Sequence, residues 1–140
     1  MTAGELDAFL RREFPQMYVT TDTIIERVDG RACRIRQTFH ESMLRPGGTV
    51  SGPTLMALAD CAMYVSLLAA IGPQALAVTT SLNVNFLNKG AAGVDLVAAA
   101  RLLKLGKRLA VGEVSLFSGT SEELLAHATM TYSIPPKRDV

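Results

Sequence analysis

Apolar positions follow two rhythms along this chain. From Ser51 to Gly72 the run SGPTLMALADCAMYVSLLAAIG is apolar on every side, with a single charge at Asp60. A run of that length and uniformity predicts a helix wrapped by other elements. Pro53 fits its first turn, where a missing N–H costs nothing, and Gly72-Pro73 closes it. Residues 3–14 predict a shorter amphipathic helix, with Leu6, Phe9, Leu10 and Phe14 on one face, Thr2 placed to cap it and Pro15 to end it. Elsewhere the period is two. Residues 18–28 read as a strand, Asp29-Gly30 as a hairpin turn, and 32–39 as a half-buried strand. Its Cys33, Ile35 and Phe39 oppose Arg34, Arg36 and Thr38. Residues 40–52 read as a Gly-rich loop. Residues 75–87, 94–105, 109–117 and 124–133 are four further strands.

Two strands, a long helix and four strands predict an α+β fold. One antiparallel six-stranded sheet curls around one long central helix, beside a short N-terminal helix, with residues 1–140 as one domain. A single sheet covers only part of a helix that is apolar all round, so the remaining side is expected to meet a second copy.

Composition narrows the class. The 140 residues carry 14 Lys and Arg against 13 Asp and Glu, a formal net charge of +1. That balance gives no electrostatic case for nucleic acid or a membrane surface. A membrane span is disfavoured because Asp60 lies mid-helix and basic residues do not flank both ends. Cys33 and Cys61 suit reduced, packed thiols. The opening MTAGELDAFLRREF lacks an apolar signal core, so a cytoplasmic location is expected.

Two stretches carry chemistry. GGTVSGPTLMALAD places Asp60 eight residues after Gly52, and VTTSLNVNFLNKG follows as a strand. The pair resembles the hotdog-fold thioesterases of the PaaI (phenylacetate-degradation) type. Their pattern runs close to G-T-V-H-G-G, a helix containing L-A-D, and a strand ending N-F-L. Gly48-Thr49-Val50, Gly52, Leu58-Ala59-Asp60 and Asn85-Phe86-Leu87 match, and the likeness extends over roughly residues 35–133. The resemblance implies hydrolysis of acyl-CoA thioesters. Asp60 is then base or nucleophile, the Gly52 N–H the oxyanion donor, and Thr79 an assisting hydroxyl with Thr80 beside it. It also implies CoA phosphates meeting Lys104, Lys107 and Arg108, and a homodimer or dimer of dimers. The chain departs from the pattern at Ser51-Gly52-Pro53, where relatives carry His-Gly-Gly, and at Arg45, where they often carry Asn. Arg45 and Ser51 are therefore expected to shape the loop and the substrate range.

Elementary physics supports those roles. A helix N-terminus presents unpaired N–H donors and the positive end of the macrodipole. Asp60, with Met56, Ala57, Met63 and Tyr64 at neighbouring helical positions, is expected to be partly desolvated. Met56, Met63 and Leu67 would line an acyl slot. Eight helical residues separate Gly52 from Asp60 by about 12 Å of rise and about 80° of rotation. An Asp side chain cannot span that gap onto one carbonyl, so both groups serve one thioester only if they come from different chains. His40, His127 and Cys61 lack partners at ligand spacing and read as structural. No metal motif, phosphate loop or nucleophile elbow is present, and no metal or redox cofactor is expected; CoA enters as part of the substrate. Two alternatives stand beside hydrolysis: an enoyl-thioester hydratase or dehydratase, which would want a His, and a non-catalytic acyl-CoA-binding module.

Overall fold

The computed structural model describes residues 1–18, 22–119 and 121–136. Its main elements are α1 (Ala3–Glu13), β1 (Thr23–Asp29), β2 (Ala32–Gln37), β3 (Leu44–Arg45), β4 (Thr49–Val50), α2 (Gly52–Ile71), β5 (Val78–Phe86), β6 (Leu96–Leu105), β7 (Leu109–Ser118) and β8 (Leu124–Ser133). Short 3₁₀ turns occupy Pro15–Tyr18 and Glu41–Met43. The six long strands form one antiparallel sheet in the order β1-β2-β6-β7-β8-β5. This is the expected hotdog architecture. Residues 19–21 of the first predicted strand lie outside the described residues, and β1 starts at Thr23.

A band of small side chains runs across the inner face of the sheet, between larger ones such as Leu96, Leu116 and Met130. Ala98 and Ala100 on β6, Ala110 and Gly112 on β7, and Ala126 and Ala128 on β8 are all buried. Small residues let a thick apolar helix settle close to the strands, where larger ones would hold it off. Gly112 shows how tight the fit is. A Cβ there would stand 2.5 Å from Met63 Sδ and 2.8 Å from the Arg101 carbonyl oxygen. Ten of the twenty α2 residues are buried, so a helix long and apolar enough to cross a membrane is here the core helix. Its exposed positions are Pro53, Met56 and Ala57.

Local signals set the helix ends as anticipated. The Thr2 hydroxyl accepts from the Glu5 N–H at 3.1 Å. Leu6, Phe9 and Leu10 bury the inner face of α1, and the Met1 ammonium donates to the Ala69 carbonyl near the end of α2 at 3.0 Å. The loop expectation for residues 40–52 needs correction. β3 and β4 form a small hairpin around Pro46-Gly47-Gly48, with φ of +101° and +79° at the two glycines. The Val50 N–H donates to Gly90 at 3.0 Å and the Ser51 N–H to Met43 at 2.8 Å, so the approach to α2 is pinned to both sides. Two-residue strands are too short to show a period.

Gly112→Ala should lower stability by about 1–3 kcal/mol through overpacking against Met63 and the Arg101 backbone. Chemical denaturation, read as a midpoint shift at unchanged slope, measures it.

Candidate active site

Asp60 lies near the middle of α2 and is half-buried. Its Oδ1 accepts two hydroxyl hydrogen bonds, from Thr79 Oγ1 at 2.5 Å and from Tyr132 Oη at 2.6 Å. The same phenol stands 3.1 Å from the Asp60 carbonyl oxygen. Thr79 and Tyr132 are register partners across β5 and β8, so adjacent strands deliver their hydroxyls to one oxygen. A bulge makes this possible: Thr79 pairs with Tyr132 and Ser81 with Thr131, leaving Thr80 as the extra residue. Thr80 is exposed, and its hydroxyl donates to the Thr131 carbonyl at 3.2 Å.

Burial holds the Tyr132 phenol far above its ordinary pKa, and the Asp60 carboxylate adds to the effect, so this hydroxyl remains a donor at any working pH. Among the described residues no donor reaches Oδ2. One carboxylate oxygen is therefore fixed and the other is left for chemistry. Asp60 borders a cavity of about 250 Å³ that Phe14, Met17, Tyr64 and Val78 help to line. Cys61 also lines it, but burial first and the Asp60 charge second push its thiol up to about 12. A thiol that stays protonated is a poor nucleophile, in keeping with a packed role.

The start of α2 holds the second feature. Ser51 caps the helix, its hydroxyl accepting from the Thr54 N–H at 3.3 Å and pairing with the Thr54 hydroxyl at 2.8 Å. The Leu55 N–H is taken by the Ser51 carbonyl, and Pro53 has no N–H. The Gly52 N–H is thus the donor of the first turn with no acceptor among the described residues. A methyl at Gly52 would come no closer than 3.4 Å to the Phe86 ring, an ordinary contact, so the chain itself does not demand glycine there.

The other expected site residues divide. Tyr64 joins the Asp60 cavity. Met63 does not, and neither does Leu67. Both are fully buried, Met63 against Gly112, so the placement of Met63 as a substrate contact is corrected. Met56 is exposed on the helix outside the cavity, and Arg45 is exposed on β3 with no ion pair among the described residues. Lys107 and Arg108 line a second cavity of about 520 Å³ with Ile71 at the C-terminal end of α2, whereas Lys104 lies exposed on β6 apart from it. His40 bonds Ser42 at 2.8 Å, and His127 stands 3.3 Å from Glu113; neither borders the Asp60 cavity. Tyr132 had escaped notice in the sequence. Its inward position follows from the alternation of β8, but its meeting with Asp60 is set by the pairing with Thr79.

Known proteins share the fold of this chain. The thioesterase superfamily model matches residues 47–125. A candidate thioesterase from Silicibacter sp. TM1040 is 46% identical, with TM-score 0.88, over 97% of this chain and 93% of that one. A variant of the phenylacetic acid degradation protein PaaI from Thermus thermophilus is 25% identical, with TM-score 0.76, over 86% and 99%. Zebra fish thioesterase superfamily member 2, at 19% identity, shares the fold with TM-score 0.82 over 96% and 99%. No curated protein matches the chain. The chain belongs to the thioesterase superfamily and is a thioester hydrolase of the hotdog fold.

Tyr132→Phe removes one of the two donors to Oδ1. A hydrogen bond to a charged group contributes about 1.5–3 kcal/mol, so kcat should fall roughly tenfold or more. The Michaelis constant should hold, because the variant loses only the hydroxyl that bonds Asp60 and keeps the ring in the cavity wall. Thr79→Ser should retain activity where Thr79→Val loses it. Steady-state kinetics on the three variants separate this from a merely structural effect.

Proposed function

We propose that the chain hydrolyses acyl-CoA thioesters at two equivalent sites, each shared between two copies of the protein. The observation that carries the reading is the Asp60 carboxylate, half-satisfied among the described residues, eight residues along one helix from a Gly52 N–H that finds no acceptor among them. Within one chain the two groups are too far apart to act on one carbonyl. The exposed residues Pro53, Met56 and Ala57 lie between them along α2. A second copy laid antiparallel against that stripe, with the two-fold axis near Met56, brings Asp60 of one chain to Gly52 of the partner subunit.

In such a site Oδ2 takes a proton from water while the water oxygen attacks the thioester carbon. The carbonyl oxygen becomes an oxyanion that accepts from the partner's Gly52 N–H and sits at the positive end of that helix. Collapse breaks the C–S bond, and the proton on Asp60 passes to the departing CoA sulfur. Direct attack by Oδ2 would use the same free oxygen. Thr79 and Tyr132 hold the carboxylate in place throughout, and Ser51 keeps the Gly52 turn open by capping its neighbours. Arg45 shapes the same loop. The exposed Lys104, Lys107 and Arg108 offer cations to CoA phosphates, and the reading assigns the protein to the cytoplasm as a dimer or a dimer of dimers.

Asp60→Asn should fold and assemble like the wild type yet lose about 10²–10⁴ in kcat, the usual weight of a general base. Thiol release over an acyl-CoA panel tests this, and unchanged turnover would remove Asp60 from the mechanism. Met56→Arg should leave the fold intact, because the side chain is exposed, while charge repulsion across the axis separates the copies. Sedimentation velocity and thiol release should then fall together. A fully active monomer would rule out the shared site.

A further inference from the structure

The cavity beside Asp60 is walled in part by residues from outside the family match. Phe14, Met17 and Tyr132 lie beyond residues 47–125, yet all three line it. We propose that this cavity seats the acyl group, that it takes an uncharged hydrocarbon chain or ring without polar substituents, and that Phe14 sets the length it accepts. The inference rests on the acyl-CoA reading above.

The chemistry of the wall selects the ligand. Apart from Asp60 itself, no charged side chain among the described residues lines the cavity. Apart from the Cys61 thiol, a weak hydrogen-bonding group, the side-chain hydroxyls that border it are already used, Thr79 among them in its bond to Asp60. The Tyr132 hydroxyl is committed to Asp60, and the Tyr64 hydroxyl donates to the Ala75 carbonyl at 2.9 Å. A hydroxyl or carboxylate on the acyl chain would therefore be desolvated there without a partner, a cost of about 1–3 kcal/mol or more. Ala77, Val78 and Met17 complete an apolar surface.

The aromatic rings give the cavity a direction. Tyr132 touches Asp60 and stacks on Tyr64, with centroids 6.2 Å apart and planes 22° apart. Tyr64 in turn meets Phe14 at 6.1 Å and 50°. The series runs from the carboxylate to the end of α1, so an acyl group whose carbonyl lies at Asp60 extends past Tyr132 and Tyr64 and ends against Phe14. That end wall is firmly placed. The Phe14 N–H donates to the Leu10 carbonyl at 2.7 Å, and the Phe14 carbonyl accepts from Met17 at 3.2 Å. Phe14 is nevertheless 40% exposed, so removal of its ring opens the cavity outward without emptying the core.

The test is kcat/KM for straight-chain acyl-CoAs from acetyl to dodecanoyl, with wild type, Phe14→Ala and Phe14→Trp. A hydrophobic pocket discriminates one methylene by about tenfold or more. The long-to-short ratio should therefore rise at least tenfold in Phe14→Ala and fall in Phe14→Trp, with both variants melting close to the wild type. An ω-hydroxyl on the preferred chain should lower kcat/KM of the wild type by a similar factor. A length profile of wild-type shape in both variants would overturn the assignment, as would equal use of the ω-hydroxy substrate. Hydrolysis by the wild type in either of those cases leaves the acyl-CoA reading standing. Absence of thiol release from every acyl-CoA would instead remove that reading, and the acyl seat with it.

Discussion

The fold depends on how closely α2 approaches the sheet. A helix without a polar face gains from burial on every side, and the sheet answers with alanines and one glycine on its inner face. Met63 drops into the space that Gly112 leaves open. With the other buried residues of α2, that contact sets the rotation of the helix about its own axis, and with it the direction of its remaining side chains. Leu58, Ala62 and Met63 are buried, while Asp60 comes to the margin where β5 and β8 meet. The position of Asp60 is in this sense a by-product of packing: the carboxylate emerges where sheet coverage ends.

At that margin the hydrogen bonds divide the carboxylate into two unlike halves. Oδ1 is held by hydroxyls from two adjacent strands, and their spacing is set by the β5–β8 register and its bulge. Both donors are neutral. They orient the group without bringing a cation that would hold it as an inert ion pair. The neighbouring thiol of Cys61 illustrates the contrast. The same burial that suits an anchored carboxylate pushes an unassisted thiol away from its reactive form.

The molecule also separates chemistry from shape along its sequence. Gly52, Asp60 and Thr79, on α2 and β5, lie within the superfamily match. Phe14 and Met17, just after the N-terminal helix, lie outside it and add a wall to the cavity that Asp60 and Thr79 border. α1 is anchored by Leu6, Phe9 and Leu10 and tied to the far end of α2 by the Met1 ammonium. A segment attached in this way can change the size of a site with little disturbance to the core that performs the reaction.

Much of this was legible in the residues themselves. Period-two and helical patterns located the six long strands and both helices, because each depends on neighbours within a few positions. Thr2 and Pro53 marked helix starts by local hydrogen-bond chemistry. The motif spacing singled out Asp60, Gly52 and Thr79, and the helix pitch alone showed that Asp60 and Gly52 of one chain cannot share a carbonyl. The β3–β4 hairpin escaped because two residues carry no period. The bulge at Thr80, the inward turn of Met63 and the convergence of Tyr132 and Phe14 on the Asp60 cavity belong to the tertiary structure. Those features arise from register between strands and packing between helices separated by tens of residues. Sequence periodicity determines which face a side chain occupies; only the folded chain determines what stands opposite it.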